Sequence, residues 1–343
     1  MNRFASGAIT VVGLVLVLAL TLAVLTPHPI ESMRLIFVGA FGDKFGITRT
    51  LVKWIPLVLT GLGVVVAWRG GMYNIGGEGQ FVVGGIAAGA IAKPLLQGGM
   101  TWIALAPILL AAAIVGGALW GMLAGWLFVK RGVEVVISTI LMNFVAIQML
   151  AYLVSGPLQE RAGKLPQSDR LSTAQALPKF DPQADLHWGI VFAFIAAALV
   201  FVFLYRTRPG FRMRVVGENM SAARANRIDV GKARIMAMAW SGGLCGLAGG
   251  VEYMGVTQQL GQSFSQNWGF LAIPVALLAG LHPIVVLFSA LYFAAILAGS
   301  KNMAGFTADG TVLIYVVQAV AVLGFVSLRV WLQRRRAPVP EAA

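Results

Sequence analysis

Apolar runs long enough to cross a bilayer recur along nearly the whole chain, and this removes most folds from consideration. A transmembrane helix needs roughly 17 to 25 mostly apolar residues, because in hydrocarbon every backbone N–H and C=O must be satisfied within the segment. The runs fall at 8–25, 51–69, 78–97, 102–128, 134–154, 188–205, 234–255, 266–281, 284–300 and 311–330. They predict an all-α integral membrane protein of about ten transmembrane helices, one membrane domain over 1–343 with no soluble domain of any size. Composition agrees: 58% of the 343 residues are hydrophobic and 11% charged, against roughly 25% charged in soluble domains.

An even number of spans puts both termini on one side, and cytoplasmic loops retain Lys and Arg. With the N-terminus inside, the inner set is Arg3, Arg69, Lys130, Arg131, the basic run from Arg206 to Arg234, and Arg329, Arg334, Arg335 and Arg336. It holds most of the 26 basic residues although the outer loops are longer, so the predicted topology is N-in and C-in. Topology thus accounts for the net charge of +13 without invoking nucleic acid. The proline-containing segment 155–187 becomes an extracytoplasmic loop and 206–234 a cytoplasmic one. The first run, ending in "LAVLT", reads as an uncleaved anchor because the span count needs it.

Enzyme motifs are missing. Gly163-Lys164 is followed by Leu165 and Gly231-Lys232 by Ala233, so there is no G-x-x-x-x-G-K-[ST] loop to cradle ATP. His28, His187 and His282 lie far apart near span ends, without H-E-x-x-H, and the single Cys245 excludes a disulfide framework or a cysteine metal site. The expectation is a chain that binds no metal or cofactor itself.

What remains is polar residues within the spans, which are costly in hydrocarbon and face a cavity or another helix. The stretch "GGMYNIGGEGQFVVGG" (70–85) sets Asn74, Glu78 and Gln80 among seven glycines. Leu51 through Leu96 is only 46 residues, and two crossings use about 20 each. Part of "GGMYNIGGEGQ" therefore lies at membrane depth as an interrupted or re-entrant segment near 70–80. Irregular backbone there is tolerated when buried in protein or lining a water-filled cavity. The stretch can line a solute path, or its glycines can allow tight packing with Glu78 capping the next helix. Glu134 suits the first turn of the fifth span beside Lys130 and Arg131. Glu252, after a glycine-rich face, suits a helix interface or a path. In the loop 206–234, Pro209-Gly210 marks a turn, Asn219 or Ser221 can N-cap, and "SAARANRI" favours a short helix that is either a solvated connector or a plug for a partner.

The pieces "GGMYNIGGEGQ", "GVEVVISTILMNF", "SGPLQ" through "LHWGI", "RPGFRMRVVGENMSAAR" and "FLAIPVALLAGLHPI", in that order, resemble the permease subunits of ABC importers for nucleosides and simple sugars, a branch related to ribose and branched-chain amino-acid permeases. "NIGGEGQ" and "EVVISTILMN" are more similar to the purine-nucleoside type. The resemblance implies an alternating-access permease of the bacterial cytoplasmic (inner) membrane, with a separate ABC ATPase that holds ATP and Mg, a second permease subunit of the same or a homologous chain, and an extracytoplasmic solute-binding protein. It makes Gly217, Glu218, Asn219, Ala222, Ala223 and Arg224 the coupling element in a cleft of the ATPase. For a neutral nucleoside, Asn74, Glu78, Gln80 and Asn143, with Glu252 farther along, are the expected path residues. Met220-Ser221 stands where the family often has Pro-Glu, and Arg227 where it has a small residue. A ribose- or galactose-type sugar permease is the near alternative; an ion-coupled transporter or channel with Glu78 or Glu252 carrying a proton is the distant one.

Overall fold

In the computed structural model the described residues are 28–304 apart from 182 and 183, with 16, 18–20, 22–24, 26 and 320. The expected span 311–330 lies almost wholly, and 8–25 largely, outside them. The elements are helical: α1 (Pro29–Phe41), α2 (Lys44–Arg69), α3 (Gly77–Leu95), α4 (Trp102–Arg131), α5 (Val135–Val154), α6 (Gly189–Arg206), α7 (Arg208–Glu218), α8 (Met220–Ala225), α9 (Val230–Glu252) with a π turn Tyr253–Thr257, α10 (Trp268–Leu278) and α11 (Pro283–Ala304). There is no strand among the described residues, only two isolated bridges, Gln167 with Gly261 and Lys179 with His187. By length and composition, α2, α4, α5, α6 and Pro283–Ser300 of α11 can each cross a membrane.

The chain forms two compact units. One comprises residues up to Thr50 and from Leu291 onward. Its core is Leu18, Leu22, Ile36 and Ile296, with Met33 and Tyr292 against it. Gly299 allows close approach there: a Cβ on it would lie 2.0 Å from the Ile36 carbonyl oxygen.

The other unit, Leu51–Ala290, holds every predicted site residue. Its centre is α3, α4 and α9, packed backbone to backbone. Glycines recur every fourth residue at Gly117, Gly121 and Gly125 on α4 and at Gly242, Gly246 and Gly250 on α9. A Cβ on Gly117 would come within 2.2 Å of the Gly242 carbonyl oxygen, and one on Gly84 of α3 within 2.3 Å of the Gly246 Cα. Small residues at this spacing let membrane helices meet without intervening side chains, which suits association where no hydrophobic force separates helix from lipid.

Two expectations change. The run 266–281 is not a full span: its helix, Trp268–Leu278, has 11 residues and rises only about 16 Å, too little for a hydrocarbon core of about 30 Å. The apolar run misled because "WGFLAIPVALLAG" follows a polar segment, 258–267, that folds back before the helix begins. Pro209-Gly210 is likewise not a turn but lies in the first turn of α7, where Pro209 at N2 is tolerated because an N–H there has no partner within the helix. Glu134 sits at the N-cap of α5 itself and makes no capping hydrogen bond.

Candidate functional site

The first interruption runs over residues 70–76, from the end of α2 to the start of α3. Gly71, at φ +71°, turns the chain back. Gly76 at the N-cap of α3 has no side chain to satisfy the first N–H groups, so the caps come from elsewhere. Asn143 of α5 accepts from the Gly79 N–H at 2.8 Å and donates to the Ile75 carbonyl at 3.0 Å, clamping both sides of the break. Thr139 accepts from the Ile75 N–H at 3.3 Å. The Asn74 Oδ1 accepts from the Gly76 N–H at 2.8 Å and the Gln80 amide at 3.2 Å, while its Nδ2 donates to Gln80 Oε1 at 3.0 Å and Ser241 Oγ at 2.9 Å. Asn74, Gln80 and Asn143 are each 1% exposed.

Glu78 does something different. Its carboxylate accepts from the Ser265 hydroxyl, from the Asn267 N–H at 3.1 Å and from the Gly269 N–H at 2.6 Å. It therefore caps α10 from α3, across 191 residues of sequence. Asn267, the N-cap of α10, is held at φ 63° and makes no capping bond of its own. Gly77 and Gly269 lie face to face, a Cβ on Gly77 meeting the Gly269 Cα at 3.4 Å. Two helices thus begin beside one fully buried carboxylate, one running from each interruption.

The second interruption was not expected. Residues 258–267, "QQLGQSFSQN", return from the end of the π turn to the start of α10. The signal was present: a 16-residue run is shorter than a crossing, and a polar decapeptide precedes it. The length arithmetic that exposed the first break applies here equally. The first part of this limb is stitched to segment 155–187: the Ser168 N–H donates to the Leu260 carbonyl, the Leu260 N–H to Ser168 Oγ, and the Leu171 N–H to the Gln258 carbonyl, all at 2.8 Å.

Glu252 is buried at the end of α9, within reach of the Lys53 charge. Lys53 also stands 5.4 Å over the Trp268 ring, beside α10. Thus Asn74, Glu78, Gln80 and Asn143 come together around the first break, whereas Glu252 stands apart from their network. An apolar cavity of about 750 Å³ between α4, α6 and α9 is lined by none of the five. His187, beyond the spans, is 1% exposed and accepts from the Gly189 N–H at 3.1 Å. Burial, helped by Lys179, lowers its pKa to about 4. No group of three or more His, Cys, Asp or Glu among the described residues can hold a metal.

The loop 206–234 carries α7 and α8. Thr207 N-caps α7, accepting from the Gly210 N–H at 3.2 Å, and Asn219 N-caps α8, accepting from the Ala222 N–H at 3.0 Å. Glu218, Asn219 and Arg224 are exposed and Ala222 half-buried, whereas Ala223 is fully buried. Gly217 presses on the first interruption: a Cβ there would lie 2.2 Å from the Arg69 carbonyl oxygen and 2.8 Å from the Gly71 nitrogen. Arg69 also donates to the carbonyls of Leu281 at 3.0 Å and Gly280 at 3.3 Å, past the end of α10. One arginine thus ties the start of the first break to the chain just past the C-terminal end of α10.

Residues 46–326 match the family model of the branched-chain amino acid transport system, permease component. The chain belongs to this family. Among the relatives of this permease are a glucose ABC transporter permease protein, TsgB13, of Haloferax volcanii, 31% identical over 93% of this chain and 86% of that protein. The guanosine ABC transporter permease protein NupP of Bacillus subtilis is 34% identical over 77% and 76%. The nucleoside ABC transporter permease protein NupB of Lactococcus lactis is 30% identical over 82% and 79%.

Proposed function

We propose that this chain is the membrane-spanning subunit of an ATP-driven importer for nucleosides, working by alternating access. The observation that carries the reading is the family match across 46–326, with the guanosine and nucleoside permeases among the relatives. The polar breaks at 70–76 and 258–267 support it, since transporters expose irregular backbone where solute passes. ATP and Mg belong to a partner ATPase, and this chain catalyses no reaction. A second permease subunit and an extracytoplasmic binding protein complete the assembly in a bacterial inner membrane. The topology is ten crossings, N-in and C-in, with 155–187 outside; the limb 258–267 and α10 together make the crossing for which α10 alone is too short.

In this reading the loop around Gly217, Glu218, Asn219, Ala222 and Arg224 docks on the ATPase. Ala223 supports it from within. Closure of the ATPase moves α7, and Gly217 passes that movement to Gly71 and Arg69 by backbone contact. On the far side, a binding protein on 155–187 acts on the second limb through Ser168 and Leu171.

The glucose permease, matching 93% of this chain, favours a sugar as the second reading. Uptake of labelled guanosine and labelled glucose by proteoliposomes holding the full complex, with and without ATP, decides between them. ATP-dependent guanosine uptake that excess glucose leaves unchanged supports the nucleoside. The reverse pattern supports the sugar, and uptake without ATP contradicts the importer.

A further inference from the structure

Resting on the transporter reading above, we propose that the limb 258–267 lines the solute path, with Gln266 and Asn267 as the side chains that meet the solute near mid-membrane. Depth comes first. Between Lys53 and Arg69, α2 has a charge-free run, Trp54–Trp68, and Thr60 lies near its middle. The Thr60 hydroxyl lies 3.4 Å from the Trp268 carbonyl, so the start of α10 sits about 14 Å along α2 from Arg69, close to half of a hydrocarbon core of about 30 Å.

At that depth Gln266 and Asn267 are exposed. Unpaired amides on non-helical backbone are not tolerated against lipid tails, so the face that bears them is wet. Glu78 explains why they point there. By holding the Ser265 hydroxyl and the Asn267 and Gly269 N–H groups on the buried side, it fixes the limb and leaves the neighbouring amides facing away. Glu78 is a positioning residue on this account, and the amides of the first break are spent on one another, on Ser241 and on backbone. The limb contains no Lys, Arg, Asp or Glu. Its amides offer donor and acceptor together, which suits an uncharged, hydroxyl-rich solute or a base edge.

The test uses the full complex in membranes with Gln266→Cys or Asn267→Cys, the native Cys245 being buried, and a charged methanethiosulfonate as probe. Leu119→Cys on α4, a position 55% exposed, apolar and outside the cavity described above, is the control on the apolar surface. Both limb cysteines should react at least about tenfold faster than Leu119→Cys and be slowed by saturating guanosine or glucose, whichever the wild-type complex imports. Gln266→Ala, which keeps the backbone contacts, should raise the KM for uptake at least about tenfold. Limb cysteines no faster than the control, or unprotected by a solute that the same membranes import, overturn the proposal. If the wild-type imports neither solute, the solute reading fails, while the labelling rates still decide whether the limb is wet.

Discussion

The two interruptions solve one problem with opposite chemistry. Each helix that starts inside the unit needs its first N–H groups satisfied, and neither can cap itself: Gly76 has no side chain, and Asn267 is held left-handed at φ 63°. α3 receives a neutral amide from α5, and α10 receives a carboxylate from α3. Around 70–76 the amides Asn74, Gln80 and Asn143 are buried and spent on one another and on backbone. Around 258–267 the buried side is a single carboxylate and the other side bears exposed amides. The first break is an anchor; the second leaves an exposed polar face, the one proposed above to meet the solute.

Glu78→Leu should break that difference most severely. It orphans two N–H groups and a hydroxyl at once, costing about 3–5 kcal/mol. We expect the complex to lose thermal stability and α10 to lose its placement; a Glu78→Leu complex as stable as wild-type would remove the keystone role.

His187 gives a pH-dependent version of the same question, since it packs between Gly189 and Gly255 beside the π turn that leads into the second limb. Its folded pKa of about 4 lies below the ordinary 6.5, so the unfolded chain takes up a proton first as pH falls. Stability is therefore full above pH 6.5, declines as pH drops towards 4, and levels off below, a loss of about 3 kcal/mol over that window. Thermal inactivation of the complex from pH 7.5 to 4.5 should show the decline, and His187→Gln should flatten it.

Gly217→Ala forces a methyl group onto the Arg69 carbonyl oxygen, and overpacking of this kind costs about 1–3 kcal/mol. Because that contact joins the loop to the first break, ATP hydrolysis should continue while uptake falls severalfold; matched losses in both would dissociate the contact from coupling. Ala222→Glu has the smallest effect on stability, within about 0.5 kcal/mol at its partly exposed site. It should nonetheless weaken co-purification with the ATPase, whereas Ala223→Glu, in a fully buried position, should unfold the loop.

Local patterns exposed much of this. Helix positions, the Asn219 cap and the first break follow from apolar run lengths, cap chemistry and glycine content. The second break escaped because an apolar run hid a half-length helix. The partners of Glu78 lie 187 to 191 residues away, and no window of sequence encodes such a pairing. The amides were legible as polar groups at depth, but their commitment to Ile75, Gly76 and Gly79 depends on how α5 packs on α3.

The difference between the limbs is most directly measured by thermal stability and guanosine or glucose uptake in two variants of one complex, Asn143→Ala and Gln266→Ala. Asn143→Ala leaves the Gly79 N–H and the Ile75 carbonyl unpaired, so we expect a stability loss of about 2–4 kcal/mol and an unchanged KM in the protein that stays folded. Gln266→Ala, at an exposed position, should melt within about 1 kcal/mol of wild-type and raise KM at least about tenfold. A stable Asn143→Ala with an altered KM, beside a Gln266→Ala with normal KM, would contradict the assignment of anchor and path.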